Sequence, residues 1–178
     1  MRGESIMELL IILNQVQAGL GGSERGDLPL GGKRIAMGAA EMFDKHLKDN
    51  EKISITLYCG DENYMAHKDE VSLKLAAMVK KLNPDGVICG PAFHYKNYAE
   101  MCAQTGALID EKVGIPVVVA MAKQCEEVIK AYKDRVDIVK MPKKGETGLN
   151  NALGNILELL RLKIAGKDTT EFIQVNTF

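Results

Sequence analysis

The sequence predicts an α/β fold, a three-layer α/β/α sandwich around a mostly parallel, five-stranded sheet. Three observations predict it. Short apolar runs alternate along the chain with segments of helical spacing. The runs are continuously apolar, as strands covered on both faces must be. Each run hands over to a helix or a long loop, the repeating unit of a doubly wound sheet. The expected strand order is flavodoxin-like, with a Rossmann-like order as the alternative.

The elements follow in order. Met7–Leu13 reads as a buried first strand, and 18–32 as a Gly-rich loop. Over 34–47, Ile35, Ala39, Met42, Phe43 and Leu47 recur at helical spacing. The β-branched stretch 53–59 predicts a second strand. A helix over 67–82 turns Val71, Leu75, Met78, Val79 and Leu82 inward and stops at Asn83-Pro84-Asp85. A central strand over 86–89 precedes a helix over 97–113, and a fourth strand over 117–121 precedes a short helix, Glu126–Tyr132. A fifth strand over 136–139 leads to a closing helix, Leu149–Ile164, capped by Gly166. Residues 1–168 thus form one α/β domain, and 169–178 read as a C-terminal tail.

Composition excludes several functions. The chain has 178 residues, 46% hydrophobic and 26% charged, enough for a core without disulfide staples. A net charge of −1 provides no basic field, so neither nucleic acid nor an anionic membrane is an expected partner. Trp is absent and aromatics make up 5%, too few for base-stacking platforms. No apolar run reaches the roughly 20 residues of a membrane span, and 6–13 is too short for a signal peptide. The four cysteines form no Cys-x-x-Cys pair, so no metal site is expected and a reducing, cytoplasmic location is.

Chemistry is expected where strands end. Three segments would meet there: Asn14-Gln15 with the loop carrying Gly21, Gly22 and Glu24; Cys59-Gly60-Asp61-Glu62-Asn63-Tyr64; and Cys89-Gly90-Pro91-Ala92-Phe93-His94. Two strands end in Cys-Gly, and a cysteine there is ordinarily a small buried hydrophobe. With one strand between them, Cys59 and Cys89 would sit about 10 Å apart, beyond disulfide reach. The Gly-rich loop is neither a Walker loop nor a dinucleotide fingerprint. Its N–H groups suit an anion, while a mobile surface loop is the plain alternative. His94 is the one histidine beside a strand end, suited to acid–base work or anion binding, although an exposed loop histidine is commoner. Lys143-Lys144 reads as solvated charge.

In this order and spacing, the Gly21-Gly22 loop with Glu24 and Asp27, Cys59 to Tyr64, Asn83-Pro84-Asp85, Cys89 to Phe93, Tyr98, Cys102 and Gly114-Ile115-Pro116-Val117-Val118 resemble a known family. It is the N-terminal domain of the component B selenoproteins of glycine, sarcosine and betaine reductase, matched over residues 9–164. The resemblance implies a subunit that works with a pyruvoyl-containing partner, which holds the amine substrate. A selenocysteine on the B selenoprotein attacks the α-carbon and breaks the C–N bond. In the family that selenocysteine lies in a second domain, beside a Cys-x-x-Cys; neither is written here. His94-Tyr95-Lys96-Asn97 also stands where the family has smaller residues.

No cofactor is therefore expected within the chain; a pyruvoyl group or selenocysteine would come from partner chains. The expectation is a stand-alone subunit or accessory protein of such a reductase system. It would bind a small amine or carboxylate ligand, or a partner subunit, through Asn14, Gly21, Gly22, Glu24, Asp61, Gly90, Pro91, Ala92 and Phe93. Two rivals remain. One is a thiol-dependent enzyme using Cys89 or Cys59 with His94 as base. The other is a non-catalytic homo-oligomeric interaction module.

Overall fold

The first strand, β1 (Met7–Leu13), has no exposed apolar side chain from Leu9 onward. Such a strand needs a covered face on each side. The computed structural model, which describes residues 5–143 and 145–178, supplies both covers. Among the described residues, β1 is joined by β2 (Gly31–Lys33), β3 (Glu51–Tyr58), β4 (Gly86–Ala92), β5 (Val117–Ala122) and β6 (Ile138–Met141). They form one six-stranded sheet in the order β2-β3-β1-β4-β5-β6. All pairs are parallel except β2 with β3. Without that short antiparallel edge, the strands run second, first, third, fourth, fifth. This is the flavodoxin-like order, one of the two arrangements expected from the sequence.

The helices are α1 (Asp61–Ala66), α2 (Lys68–Leu82), α3 (Lys96–Leu108), α4 (Glu126–Tyr132), α5 (Leu149–Ile164) and α6 (Thr170–Asn176). On one face α3 packs on β4 and β5, between α2 and α4. On the other, α5 packs on β4, β5 and β6 beside a 3-10 segment, Gly38–His46. The first connection, from β1 to β3, uses that second face. The crossover from β3 to β4 uses the first. The switch point therefore lies between the C-terminal ends of β1 and β4.

Three expectations are corrected. The sheet has a sixth strand, β2, inside the stretch read as loop. The helix expected over 34–47 is a shorter 3-10 segment, because Thr56 on β3 claims the chain before it. The Thr56 hydroxyl accepts the Met37 N–H at 3.1 Å and donates to the Ile35 carbonyl at 2.8 Å, holding 35–37 out of the helix. The central strand continues through Gly90-Pro91 to Ala92.

The stretch read as a tail, 169–178, has structure of its own. Residues 170–176 are helical, and the last residues pack against the sheet edge. Thr177 bridges Val139 in antiparallel fashion, and the Phe178 N–H donates to the Ile138 carbonyl at 3.1 Å. This covers part of an edge strand that would otherwise expose unpaired backbone groups.

Candidate functional site

Two polar side chains close the end of β1. Asn14 and Gln15 are both fully buried. Asn14 Oδ1 accepts the Gln17 N–H at 2.8 Å, bending the chain out of the strand. Its amide nitrogen donates to Asp61 at 3.3 Å. Gln15 Oε1 accepts the Asp61 N–H at 3.0 Å, while its Nε2 has no partner among the described residues. The expected pair Asn14 and Asp61 is thus brought together, as a structural clasp between the ends of β1 and β3.

The Gly-rich loop is pinned rather than loose. The Gly60 N–H donates to Leu28 at 2.8 Å, the Asn63 N–H to Gly26 at 2.9 Å, and the Asn63 side chain to Leu28 at 3.3 Å. Gly60 permits this approach: a Cβ there would collide with the Gly26 carbonyl. Glu24 folds back so that its carboxylate accepts the Gly22 N–H at 3.0 Å. That hydrogen bond, with one from its own backbone N–H, lowers the Glu24 pKa. The N–H that an anion would seek is already used by the chain's own carboxylate. Gly22 therefore does not offer its N–H to an outside anion in this conformation.

Gly90, Pro91 and Ala92 lie inside β4 and are buried. A Cβ at Gly90 would stand 2.5 Å from the Ala120 carbonyl, so its role is close strand packing. All four cysteines are reduced and buried. Burial raises each thiol pKa, Cys59 to about 11 and Cys89, Cys102 and Cys125 also upward. A nucleophilic thiol needs the opposite shift. Cys89 lies on β4 and Cys59 directly follows β3, the two strands flanking β1, as the spacing argument assumed, and burial disfavours the thiolate at both.

Phe93 and His94 are placed differently. Directly beyond β4, they line a cavity of about 340 Å³. Its other walls are Val16 and Gln17 after β1, Met42 of the 3-10 segment, and Tyr95. Pro142, Lys143, Gly145 and Glu146 after β6, with Leu149 at the start of α5, complete it. The cavity occupies the switch point, where doubly wound sheets receive ligands. Its lining is mostly apolar with a few polar groups, the usual character of a small-molecule site.

Two contacts set this geometry. The Tyr98 hydroxyl donates to the Ile12 carbonyl at 2.9 Å, tying α3 to β1 beneath the cavity. The Cys125 thiol donates to the Phe93 carbonyl at 3.4 Å. Above β6, the Lys143 N–H donates to the Glu146 carboxylate at 3.2 Å and shapes the loop. The His94 and Tyr95 rings lie 4.1 Å apart between centroids, tilted by 35°.

Sequence reasoning therefore found one wall, Phe93 and His94, and missed the opposite ones. Lys143, read as solvated charge, lines the cavity; Lys144 lies outside the described residues. The available signal was topological: 16–17 and 142–146 also follow strand ends, and only the strand order shows which ends converge. No cluster of three potential metal ligands occurs among the described residues, and no helix there is long and apolar enough to cross a membrane.

The chain is thus a doubly wound α/β domain with a cavity of small-molecule size at its switch point. The chain belongs to the glycine/sarcosine/betaine reductase selenoprotein B family (GRDB), whose model matches residues 6–176. It is 25% identical to the sarcosine reductase complex component B subunit beta of Peptoclostridium acidaminophilum, over 90% of this chain and 36% of that protein. It is 25% identical to the glycine reductase complex component B subunit gamma of Symbiobacterium thermophilum, over 97% of this chain and 41% of that protein. To the betaine reductase complex component B subunit beta of Peptoclostridium acidaminophilum it is 29% identical, over 63% of this chain and 25% of that protein. The chain thus spans less than half the length of these relatives. No solved structure matches it.

Proposed function

We propose that this chain is a component B-like subunit of a cytoplasmic amino-acid reductase system, contributing a ligand-binding crevice rather than a nucleophile. The observation that carries this reading is the cavity at the β1–β4 switch point, walled by Phe93, His94 and Tyr95 on one side and by the loop after β6 on the other. Its family membership and its relatives' names support the reductase setting. The four buried thiols support a division of labour in which the nucleophile, and any pyruvoyl group, belong to partner chains.

The ligand class is a small molecule bearing carboxylate and amine groups. Lys143 offers a cation for the carboxylate, Glu146 an anion for the amine, and His94 a group able to donate or accept. A heteronuclear NMR titration with zwitterionic amino acids tests this. Amide shifts concentrated at Val16, Gln17 and 93–95 are expected. Saturating ligand that leaves those amides unmoved would remove the crevice from the function.

A further inference from the structure

The size and character of the cavity carry a deduction about the ligand, which rests on the binding-site reading above. Packed organic matter takes up about 20 Å³ per non-hydrogen atom, so free glycine, with five, would occupy roughly 100 Å³. The cavity holds about 340 Å³. A glycine-sized ligand would leave most of it to water. The walls that water would meet are Val16, Met42, Phe93, Tyr95, Pro142 and Leu149. Against those walls water finds few polar partners, so an apolar substituent is the better occupant. The two charged side chains, Lys143 and Glu146, both come from the loop after β6, while Gln17 after β1 and His94 after β4 add polar groups among Val16, Met42, Phe93 and Tyr95. A ligand that fits this distribution turns its charged groups toward the loop after β6 and an apolar body toward the remaining walls.

We infer that the cavity takes a zwitterionic amino acid carrying an apolar substituent well beyond a methyl group, on the amine or on the α-carbon. This departs from the glycine, sarcosine and betaine in the relatives' names. Carboxylate and amine sit against Lys143 and Glu146, and the substituent lies against Phe93, Tyr95 and Met42. Two features of the chain support the departure. His94 and Tyr95 build an aromatic wall directly after the Gly90-Pro91-Ala92-Phe93 segment. Leu149, the first residue of α5, presents a partly exposed apolar side chain (36% accessible) at the opposite wall.

The experiment is isothermal calorimetry on the intact chain with glycine, sarcosine, betaine, N-benzylglycine and phenylacetate, paired with NMR mapping of each. N-benzylglycine is expected to bind at least about tenfold tighter than glycine, from burial of the ring. It is also expected to bind tighter than phenylacetate, which lacks the amine. Phe93→Ala should abolish the preference for N-benzylglycine over glycine, and a matching circular dichroism spectrum verifies that the variant folds. If glycine binds as tightly as N-benzylglycine, the size inference is overturned and the crevice stands. If phenylacetate matches N-benzylglycine, the zwitterion assignment is overturned. If no probe moves the crevice amides, the binding-site reading itself falls, and this inference with it.

Discussion

Arg161 on α5 grips Glu51 at the start of β3 with two parallel hydrogen bonds of 2.8 and 2.7 Å. The same guanidinium donates to the His46 carbonyl at 2.8 Å, at the end of the 3-10 segment. One side chain thus joins the closing helix, the sheet and the first connection. The Glu51 carboxylate is 4% accessible and the Arg161 side chain 18%, so water screens the pair little. Removing one partner of such a pair strands the other charge. Arg161→Met is expected to cost about 3 kcal/mol in denaturant unfolding. A loss below about 1 kcal/mol would mark the pair as an ordinary surface contact.

The pair also makes stability pH-dependent. The Arg161 hydrogen bonds hold the Glu51 carboxyl below the usual glutamate range. A depressed folded pKa means that the unfolded state takes up protons first as pH falls. The contribution of Glu51 is therefore full above about pH 4.3 and is lost as pH drops through the lower folded value. Urea midpoints for wild type and an Arg161→Met/Glu51→Gln double variant should diverge at pH 7 and converge toward pH 3. A constant gap would separate the effect from ionisation.

The thiols provide a chemical test. Cys59, pushed up to about 11 by burial, stays protonated in the folded state at neutral pH. Alkylation of all four cysteines by iodoacetamide at pH 7.5 is expected to be slow and to accelerate sharply on adding denaturant. One thiol labelled rapidly in the native protein would restore the thiol-enzyme reading. The same shift lowers stability in alkali. The unfolded thiol ionises near 9.0 while the folded one does not, so stability is expected to fall as pH rises from there toward 11.

Beneath the cavity, the fully buried Tyr98 holds the Ile12 carbonyl. Tyr98→Phe keeps the ring and removes the donor. The expected cost is about 1–2 kcal/mol, with an unchanged m-value. A neutral result would show that the carbonyl is satisfied without the hydroxyl.

Gly60 is the close-approach point of the pinned loop. In Gly60→Ala the new methyl meets the backbone at Gly26 and Leu28, which cannot swing away as a flexible side chain would. The loop should lift, and the amides of Gly60 and Asn63, which donate to Leu28 and Gly26, should exchange with deuterium far faster than in wild type. Exchange elsewhere in the sheet, for instance in β5, should change little. Protection retained at both amides would mean that the loop is anchored by other contacts.

How much of this was legible varies by element. The closing helix Leu149–Ile164 was readable to the residue, because its apolar face has one clear helical period and Gly166 ends it with φ +67°. The helix expected over 34–47 was not, because its apolar positions include Ile35, which the fold leaves 56% exposed. A threonine 21 residues away decides that segment, and local periodicity carries no trace of it. In the candidate site, the Phe93 and His94 wall was visible as an abrupt end to an apolar run. Gly22 and Glu24 looked equally functional, yet their hydrogen bond to one another consumes the group that made them interesting.

The amino-acid sequence alone determined the alternation of strands and helices, the parallel sheet and the family, because those rest on local periodicity and on motif order. Only the tertiary structure decided which strand ends share a crevice. Segments 76 and more residues from Gln17, at 93–95, 142–143 and 145–146, meet it through strand order. Strand order in turn is settled by which faces the crossovers cover and bury, a property of the packed chain as a whole.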